Sequence, residues 1–326
     1  MLALAAGALS LFAIGAVLAK FATADGDFTL LSKGRAKRQR VEGKVVWITG
    51  ASRGIGEVLA EQIACLGAKL ILSSRNVTEL ERVKTAIVGK YPGASIEVLP
   101  FDLASDEETL KDVVQKAESL FSASGVEYMV HNAAYERPKR KALDETEEGL
   151  RAIFNTNVLG TITLTNLLAP FMLKRGRGHF VVMSSAAGKC PAPGQAIYSA
   201  SKHALNGYFH TLRSELYHEG IKVTVVCPGP IRTYTTSGAG SSHSGSCKYV
   251  SSERCAELTI VAATNGLKEA WISDQPVLLV MYLVQYMPTV GFWLMDKIGG
   301  NRMEAAETNA NAYSWKLFFG KKKKKS

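Results

Sequence analysis

Residues 44–76 read KVVWITGASRGIGEVLAEQIACLGAKLILSSRN. Val45 to Ile48 is a short apolar run, the pattern of a buried strand, and Glu57 to Leu66 carries helical periodicity. Gly50, Gly54 and Gly56 stand between them, and Lys69 to Ser74 forms a second apolar strand. Strand, glycine turn, helix and strand in this order make a βαβ unit. Its turn lets backbone N–H groups approach a pyrophosphate at a helix N-terminus. A glycine triplet alone is weak evidence; the ordered context gives it weight.

A second stretch carries the chemistry. Residues 178–202, GHFVVMSSAAGKCPAPGQAIYSASK, run from an apolar strand (Phe180 to Met183) through two serines and a loop with Gly188, Pro191, Pro193 and Gly194. They end in a helix that holds Tyr198 and Lys202, four residues apart and so on one face. A free phenol, with a pKa of about 10, is a poor acid or base at neutral pH. A neighbouring ammonium favours the phenolate and brings it toward the useful range. A serine hydroxyl at the strand end is placed to hydrogen-bond the oxygen that gains or loses the proton. Tyr-x-x-x-Lys spacing is common on solvated helix faces; the upstream cofactor turn makes the catalytic reading the better one.

The spacing Gly-x-x-x-Gly-x-Gly differs from the usual dinucleotide fingerprint and resembles that of the short-chain dehydrogenases/reductases. TGASRGIG (49–56) looks like that family's glycine motif, and HNAA (131–134) like its Asn-Ala-Gly motif, with Ala134 in the last place. NVLG (157–160), SSAAG (184–188), YSASK (198–202) and CPGPIRT (227–233) follow in the family's order. The resemblance covers about residues 42–275. It implies a single α/β domain with a Rossmann-type doubly wound parallel sheet. It also implies catalytic roles for Asn157 (proton-relay support), Ser185 (stabiliser of the carbonyl or alkoxide), Tyr198 (general acid/base) and Lys202 (tuner of the phenol and ribose binder). Ser185 outranks Ser184 because it lies thirteen residues before Tyr198, the spacing of the family it resembles. Asn157 outranks Asn155 by register. The cofactor site implied comprises Thr49, Gly50, Ser52, Arg53, Gly54, Ile55, Gly56, Ser74, Arg75, Asp102, Leu103, Asn132, Ala133, Tyr198, Lys202, Pro228, Ile231 and Thr233. Asp102 either touches adenine, as in the family, or caps the helix around Glu107 to Ser119, or does both.

Cofactor choice has a physical basis. An acidic residue after the second strand would accept hydrogen bonds from a ribose 2′-OH and repel a 2′-phosphate. Here Ser74 and Arg75 follow the strand, and Arg53 lies in the turn. Two guanidiniums suit a dianionic phosphate, so NADP(H) is expected.

The formal net charge of +10 invites a nucleic-acid partner, but the basic residues concentrate at Lys33 to Arg40 and Lys321 to Lys325. No basic stripe interleaved with aromatics occurs, so nucleic acid is not expected. The cysteines (65, 190, 227, 247, 255) are widely spaced and form no Cys-x-x-Cys pair, against a disulfide framework or zinc site; no metal is expected. His203 and His210 share a helix without carboxylate or cysteine partners in sequence and read as packing or surface residues.

Residues 1–19 are uncharged and apolar, and as a helix they span roughly 28 Å, near the bilayer's hydrocarbon thickness. A cleaved signal peptide is the rival reading; the absence of a basic leader favours an uncleaved anchor. The basic linker over 20–41 places the following chain in the cytosol. After a polar Gly/Ser-rich run, TYTTSGAGSSHSGSCKYV (233–250), read as a substrate lid, Ser252 is expected to cap a helix over Glu253 to Asn265, leading to a short strand near Trp271. Residues 276–326 form a hydrophobic extension with a basic tail. Within it, 277–295 reads as a second span, a buried helix or an interfacial segment; Pro288 and Gln285 favour a membrane-facing lip bordering the active site. The terminal KKKKKS matches a dilysine retrieval signal of the endoplasmic reticulum, read only in the cytosol; a lumenal body would leave it unreadable. The expected partners are a hydrophobic small-molecule substrate (steroid, retinoid or xenobiotic carbonyls, by the resemblance), membrane lipid, and a second copy of the chain. The competing reading, a non-catalytic lipid-binding or scaffold protein, does not require Asn157, Ser185, Tyr198 and Lys202 together.

Overall fold

The computed structural model describes residues 15–121, 124–232 and 249–307. Seven parallel strands form the central sheet in the order β3-β2-β1-β4-β5-β6-β9. They are β1 (Val45–Thr49), β2 (Lys69–Ser73), β3 (Ile96–Val98), β4 (Tyr128–His131), β5 (Gly178–Met183), β6 (Ile221–Pro228) and β9 (Glu269–Ile272). Two residues each from β7 (Ile231–Arg232) and β8 (Val250–Ser251) pair separately. β1 is central, with Val46 opposite Leu70 on one side and Tyr128 on the other. All five of its residues are buried, as a strand covered on both faces requires.

The two faces follow from strand alternation. Val46 and Ile48 point toward α1 (Gly54–Cys65), α2 (Val77–Lys90) and α7 (Ser252–Thr264), which contribute Leu59, Leu80, Val83 and Val261. Val45 and Trp47 point the other way, toward α3 (Glu107–Ser119), α5 (Thr161–Lys174) and α6 (Ala196–Leu216), with Val114, Leu164, Leu168 and Phe209. The chain order reverses between β1 and β4. There the connections leaving the carboxyl ends of the two strands run to opposite faces of the sheet, the place where open α/β sheets bind ligands.

The helical pattern over 146–173 is one continuous rod with a defect. α4 (Glu147–Phe154) passes through a π-helical turn (Asn155–Gly160) into α5. Gly160 lies so close to the Leu103 carbonyl that any side chain there would collide with it. Among the described residues, 147–174 is the one helix long and apolar enough to cross a membrane, but half of its apolar window is buried. Its hydrocarbon is spent on the sheet.

Two predicted caps move. Asp106, not Asp102, caps α3 by accepting from the Thr109 amide, while Asp102 accepts from the Ala104 amide within its own turn. Ser251 caps α7, while Ser252 is its first residue and donates to the Arg232 carbonyl. In both cases the residue with the extended backbone becomes the cap.

The flanking segments dock onto the sheet body. The linker region buries Leu30 and Val41, and Asp27 bonds the exposed edge of β9 twice: its amide donates to the Trp271 carbonyl, and its carboxylate accepts from the Trp271 amide. Such cover protects an edge strand from other chains. The extension forms α8 (Val277–Tyr286) and α9 (Pro288–Glu307), which fold back on each other. Gly291 permits this, since a Cβ there would lie 2.7 Å from the Val284 Cα. Leu278, Met281, Val284, Met295 and Ile298 join the same core cluster as α5 and α6. Residues 277–295 are thus an elbow rather than a straight span. The first fourteen residues, the region 233–248 and the lysine tail lie outside the described residues, so most of the anchor, most of the lid and the retrieval signal do too, while residues 15–22 are helical.

Candidate active site

At the carboxyl end of β1, Gly50 (φ 66°) and Gly54 (φ 59°) adopt left-handed backbone angles that only glycine takes without strain. A Cβ on Gly50 would lie 2.8 Å from the Ala133 Cα, and one on Gly56 would strike the Gly50 carbonyl. α1 starts at Gly54 with no side-chain cap from Arg53, which leaves its first amides available to an anion. The Asn132 side chain holds the turn by donating to the carbonyls of Thr49 and Gly50, each at 3.1 Å. The buried Thr49 hydroxyl accepts from the Asn132 and Ala133 amides. Both side chains therefore shape the cradle from beneath. Arg82, which the motifs do not mark, ties the same turn by bonding the Glu57 carboxylate and the Ser52 carbonyl. Ser52 and Ile55 are half-buried in the turn, and Arg53 is exposed. One strand over, Arg75 extends into solvent 3.9 Å from Asp102, and the Ser74 hydroxyl accepts from the Asn76 amide. Leu103 is buried against the π turn.

At the end of β5 the two serines separate. Ser184 is buried, its amide bonded to the Val226 carbonyl and its hydroxyl to the Lys202 carbonyl. Ser185 caps the short turn Ala186–Gly188, accepting from the Ala187 amide at 3.1 Å, and its hydroxyl reaches the Pro228 carbonyl at 3.5 Å. On α6, the Lys202 ammonium donates to the Met183 carbonyl at 2.8 Å and lies 5.5 Å from the centre of the Tyr198 ring. Lys202 is 2% exposed, and burial pushes its ammonium down to about 8. Asn157, in the π turn, is buried and closes a pair of bonds with the backbone of Tyr135, at 2.7 and 2.9 Å. Its amide also reaches the Ser201 hydroxyl, which donates to the Tyr198 carbonyl. Asn157 thus couples the loop after β4 to the helix that bears the phenol.

Ser185 and Tyr198 open onto one cavity of about 340 Å³, a volume suited to a small organic molecule. Gly229, Pro230 and the predicted Ile231 line it, and Pro228 stands behind Ser185. Thr233 lies outside the described residues. The far walls are missed by the motifs: Val277, Val280, Met295 and Ile298 from α8 and α9, and Glu136, Lys139, Gln195 and Arg302 at its polar parts. Only the apolar run over 277–295 hinted at this wall. His203 and His210 stand apart from the cavity; His203 bonds the Ser199 carbonyl, and His210 bridges Glu269 and Arg213.

Residues 44–243 match the short chain dehydrogenase family. Over 321 residues the chain is 39% identical to the Homo sapiens protein "Dehydrogenase/reductase SDR family member 7", with 92% of each covered. Among solved structures it is similar to L-sorbose reductase from Gluconobacter frateurii complexed with NADPH and L-sorbose, at 25% identity and a TM-score of 0.64, over 72% of this chain and 96% of that one. A metagenomic short-chain oxidoreductase in complex with NADP is also similar, at 27% identity and a TM-score of 0.58, over 69% and 92% of the two chains. With its motifs in order along one sheet edge, this chain belongs to the short chain dehydrogenase family of oxidoreductases.

Proposed function

We propose that the protein is an NADP(H)-dependent oxidoreductase acting on the carbonyl or alcohol of a hydrophobic substrate at a membrane. The observation that carries this reading is that Ser185 and Tyr198 share a cavity walled by apolar side chains of α8 and α9. A bound nicotinamide dinucleotide supplies or accepts the hydride. The turn Gly50–Gly56 would hold its pyrophosphate, with Arg53 and Arg75 beside the ribose phosphate that distinguishes NADP; the NADPH and NADP in the two similar structures support that choice. The Ser185 hydroxyl orients the substrate oxygen, and the Tyr198 phenol gives it a proton during reduction or removes one during oxidation. Lys202, fixed by the Met183 carbonyl, places a positive charge beside that phenol and favours its ionised form. Asn157 keeps α6 and the loop after β4 in register.

The membrane setting draws on the uncharged residues 1–19 and on exposed Tyr286, Met287, Phe292 and Trp293 at the elbow of the extension. With the basic residues following the anchor and the lysine tail, these favour the endoplasmic reticulum, with the catalytic body in the cytosol. Exposed Leu150, Leu159 and Phe171 along the α4–α5 rod suit a second copy of the chain. The test is turnover of a panel of lipid aldehydes, ketones and alcohols by the purified full chain with either cofactor. Turnover should favour NADP(H) and vanish in Tyr198→Phe, while NADPH binding stays nearly intact. Retained turnover in that variant would remove the assigned acid/base.

A further inference from the structure

Helix α9 buries Gly291, Met295, Ile298 and Arg302, the i, i+4, i+7 and i+11 positions of one face. The first three obey the ordinary rule that this stripe is small or apolar. The fourth places a guanidinium where a hydrocarbon would pack. Arg302 is 8% exposed, and its Nη1 donates to the Pro191 carbonyl at 3.5 Å. It lines the cavity that holds Ser185 and Tyr198, one turn beyond Ile298. Lys139 lines the same cavity and lies with Met303 against Gly194, so the loops 136–140 and 190–195 meet the end of α9 there. The acidic lining residue is Glu136, which accepts from the Gln195 amide. Among the described lining residues the charged ones are Arg302, Lys139 and Glu136.

Arginine keeps its positive charge at neutral pH, and its planar fork matches two oxygens of a carboxylate or phosphate. We infer that Arg302 is a specificity-determining residue and that the preferred substrate is amphiphilic. Its reactive carbonyl lies at Ser185 and Tyr198, its apolar body runs along Val280, Met295 and Ile298, and an anionic oxygen group is held by Arg302 with Lys139 nearby. This deepens the oxidoreductase reading above and rests on it for the position of the carbonyl.

The test compares octanal with 8-oxooctanoate, in which a carboxylate replaces the terminal methyl of the same eight-carbon chain. NADPH oxidation by the full chain in neutral detergent is followed for the wild type, R302M and R302K. The ratio of kcat/KM for 8-oxooctanoate to that for octanal should fall at least tenfold in R302M, mainly through KM, with R302K in between. An unchanged ratio overturns the inference. Calorimetric titration with octanoate, octyl phosphate and octanol separates this from the activity itself. If neither aldehyde is reduced but R302M weakens the octanoate or octyl phosphate affinity tenfold relative to octanol, the anion site stands and the reductase reading falls. If both aldehydes are reduced and neither anion binds differently in R302M, the reductase stands and the anion site falls. Thermal unfolding verifies that R302M is folded, and R302K, which keeps a charge but loses the bidentate fork, serves in its place if it is not.

Discussion

Tyr198 is an ordinary phenol placed beside an unusual ammonium. Lys202 sits four residues along the same helix, is sealed from water, and is held by a single backbone carbonyl at the end of β5. The helical interval sets which side chains share a face. Burial makes the charge matter, because a cation in low dielectric acts on its neighbour far more strongly than one in water. The same logic applies at Arg75 in the opposite limit. It is well exposed, and its 3.9 Å contact with Asp102 is worth little as a salt bridge. In the NADP(H) reading proposed above, it swings onto the ribose phosphate. Arg75→Asp should reverse the sign at that point and lower the preference for NADPH over NADH at least tenfold, measured as the ratio of kcat/KM values. An unchanged ratio would assign the phosphate to Arg53 alone.

Among the elements, the elbow between α8 and α9 depends on Gly291, which lets the two helix backbones touch at Val284. Gly291→Val would force them apart. Overpacking of this kind costs about 1–3 kcal/mol and would move Met295 and Ile298, which line the cavity. The expected outcome is a lower unfolding temperature and a higher KM for a hydrophobic carbonyl, with NADPH affinity unaffected. A second junction is made by Glu269 on β9, whose carboxylate takes Lys189 and His210 at 2.7 Å each as well as the Trp271 indole. Burial pushes this carboxyl up, but the bonds from His210, Lys189 and Trp271 outweigh it and hold the group at about 2. A carboxyl depressed in the folded state stabilises above its unfolded pKa, about 4.3, and loses that contribution as pH falls through about 2. Glu269→Gln should therefore destabilise the protein by about 2 kcal/mol near neutral pH. The difference from wild type should shrink below about pH 4, as measured by urea unfolding across pH.

Over the whole molecule, the amino-terminal segment and the extension meet at one place. Phe21 and Phe28 pack against Tyr282, which contacts Trp271 and Tyr286, and Gln275 donates to the Phe21 carbonyl. The exposed Val17 and Leu18, Tyr286, Phe292 and Trp293 belong to these two segments, and α8 and α9 also wall the cavity. In the membrane reading proposed above, a substrate dissolved in lipid reaches Tyr198 past α8 and α9 without crossing bulk water. The double variant F292D/W293D should raise the KM severalfold for a long-chain aldehyde presented in liposomes, while the KM for a short water-soluble aldehyde stays the same. Equal effects on both would deny the elbow a role at the membrane.

The sequence by itself determined the first βαβ unit and its glycine cradle, which depend on spacing within one strand, turn and helix, and the resemblance of its ordered motifs to the short-chain dehydrogenases/reductases singled out Asn157, Ser185, Tyr198 and Lys202. The family's thirteen-residue spacing to Tyr198 also separated Ser185 from Ser184, and the two differ in the structure: Ser185 lines the cavity and Ser184 is buried. Caps were legible only to within a few residues, since the choice between Asp102 and Asp106, or Ser251 and Ser252, turns on backbone angles. The apolar run 277–295 was legible as a lip bordering the active site; tertiary structure alone decided that it folds back at Gly291, that the wall continues through Ile298 to Arg302, and that Arg82 braces the cradle. Most of these contacts join residues tens to more than a hundred positions apart, and their partners are fixed by how helices pack on the sheet. No local pattern encodes that.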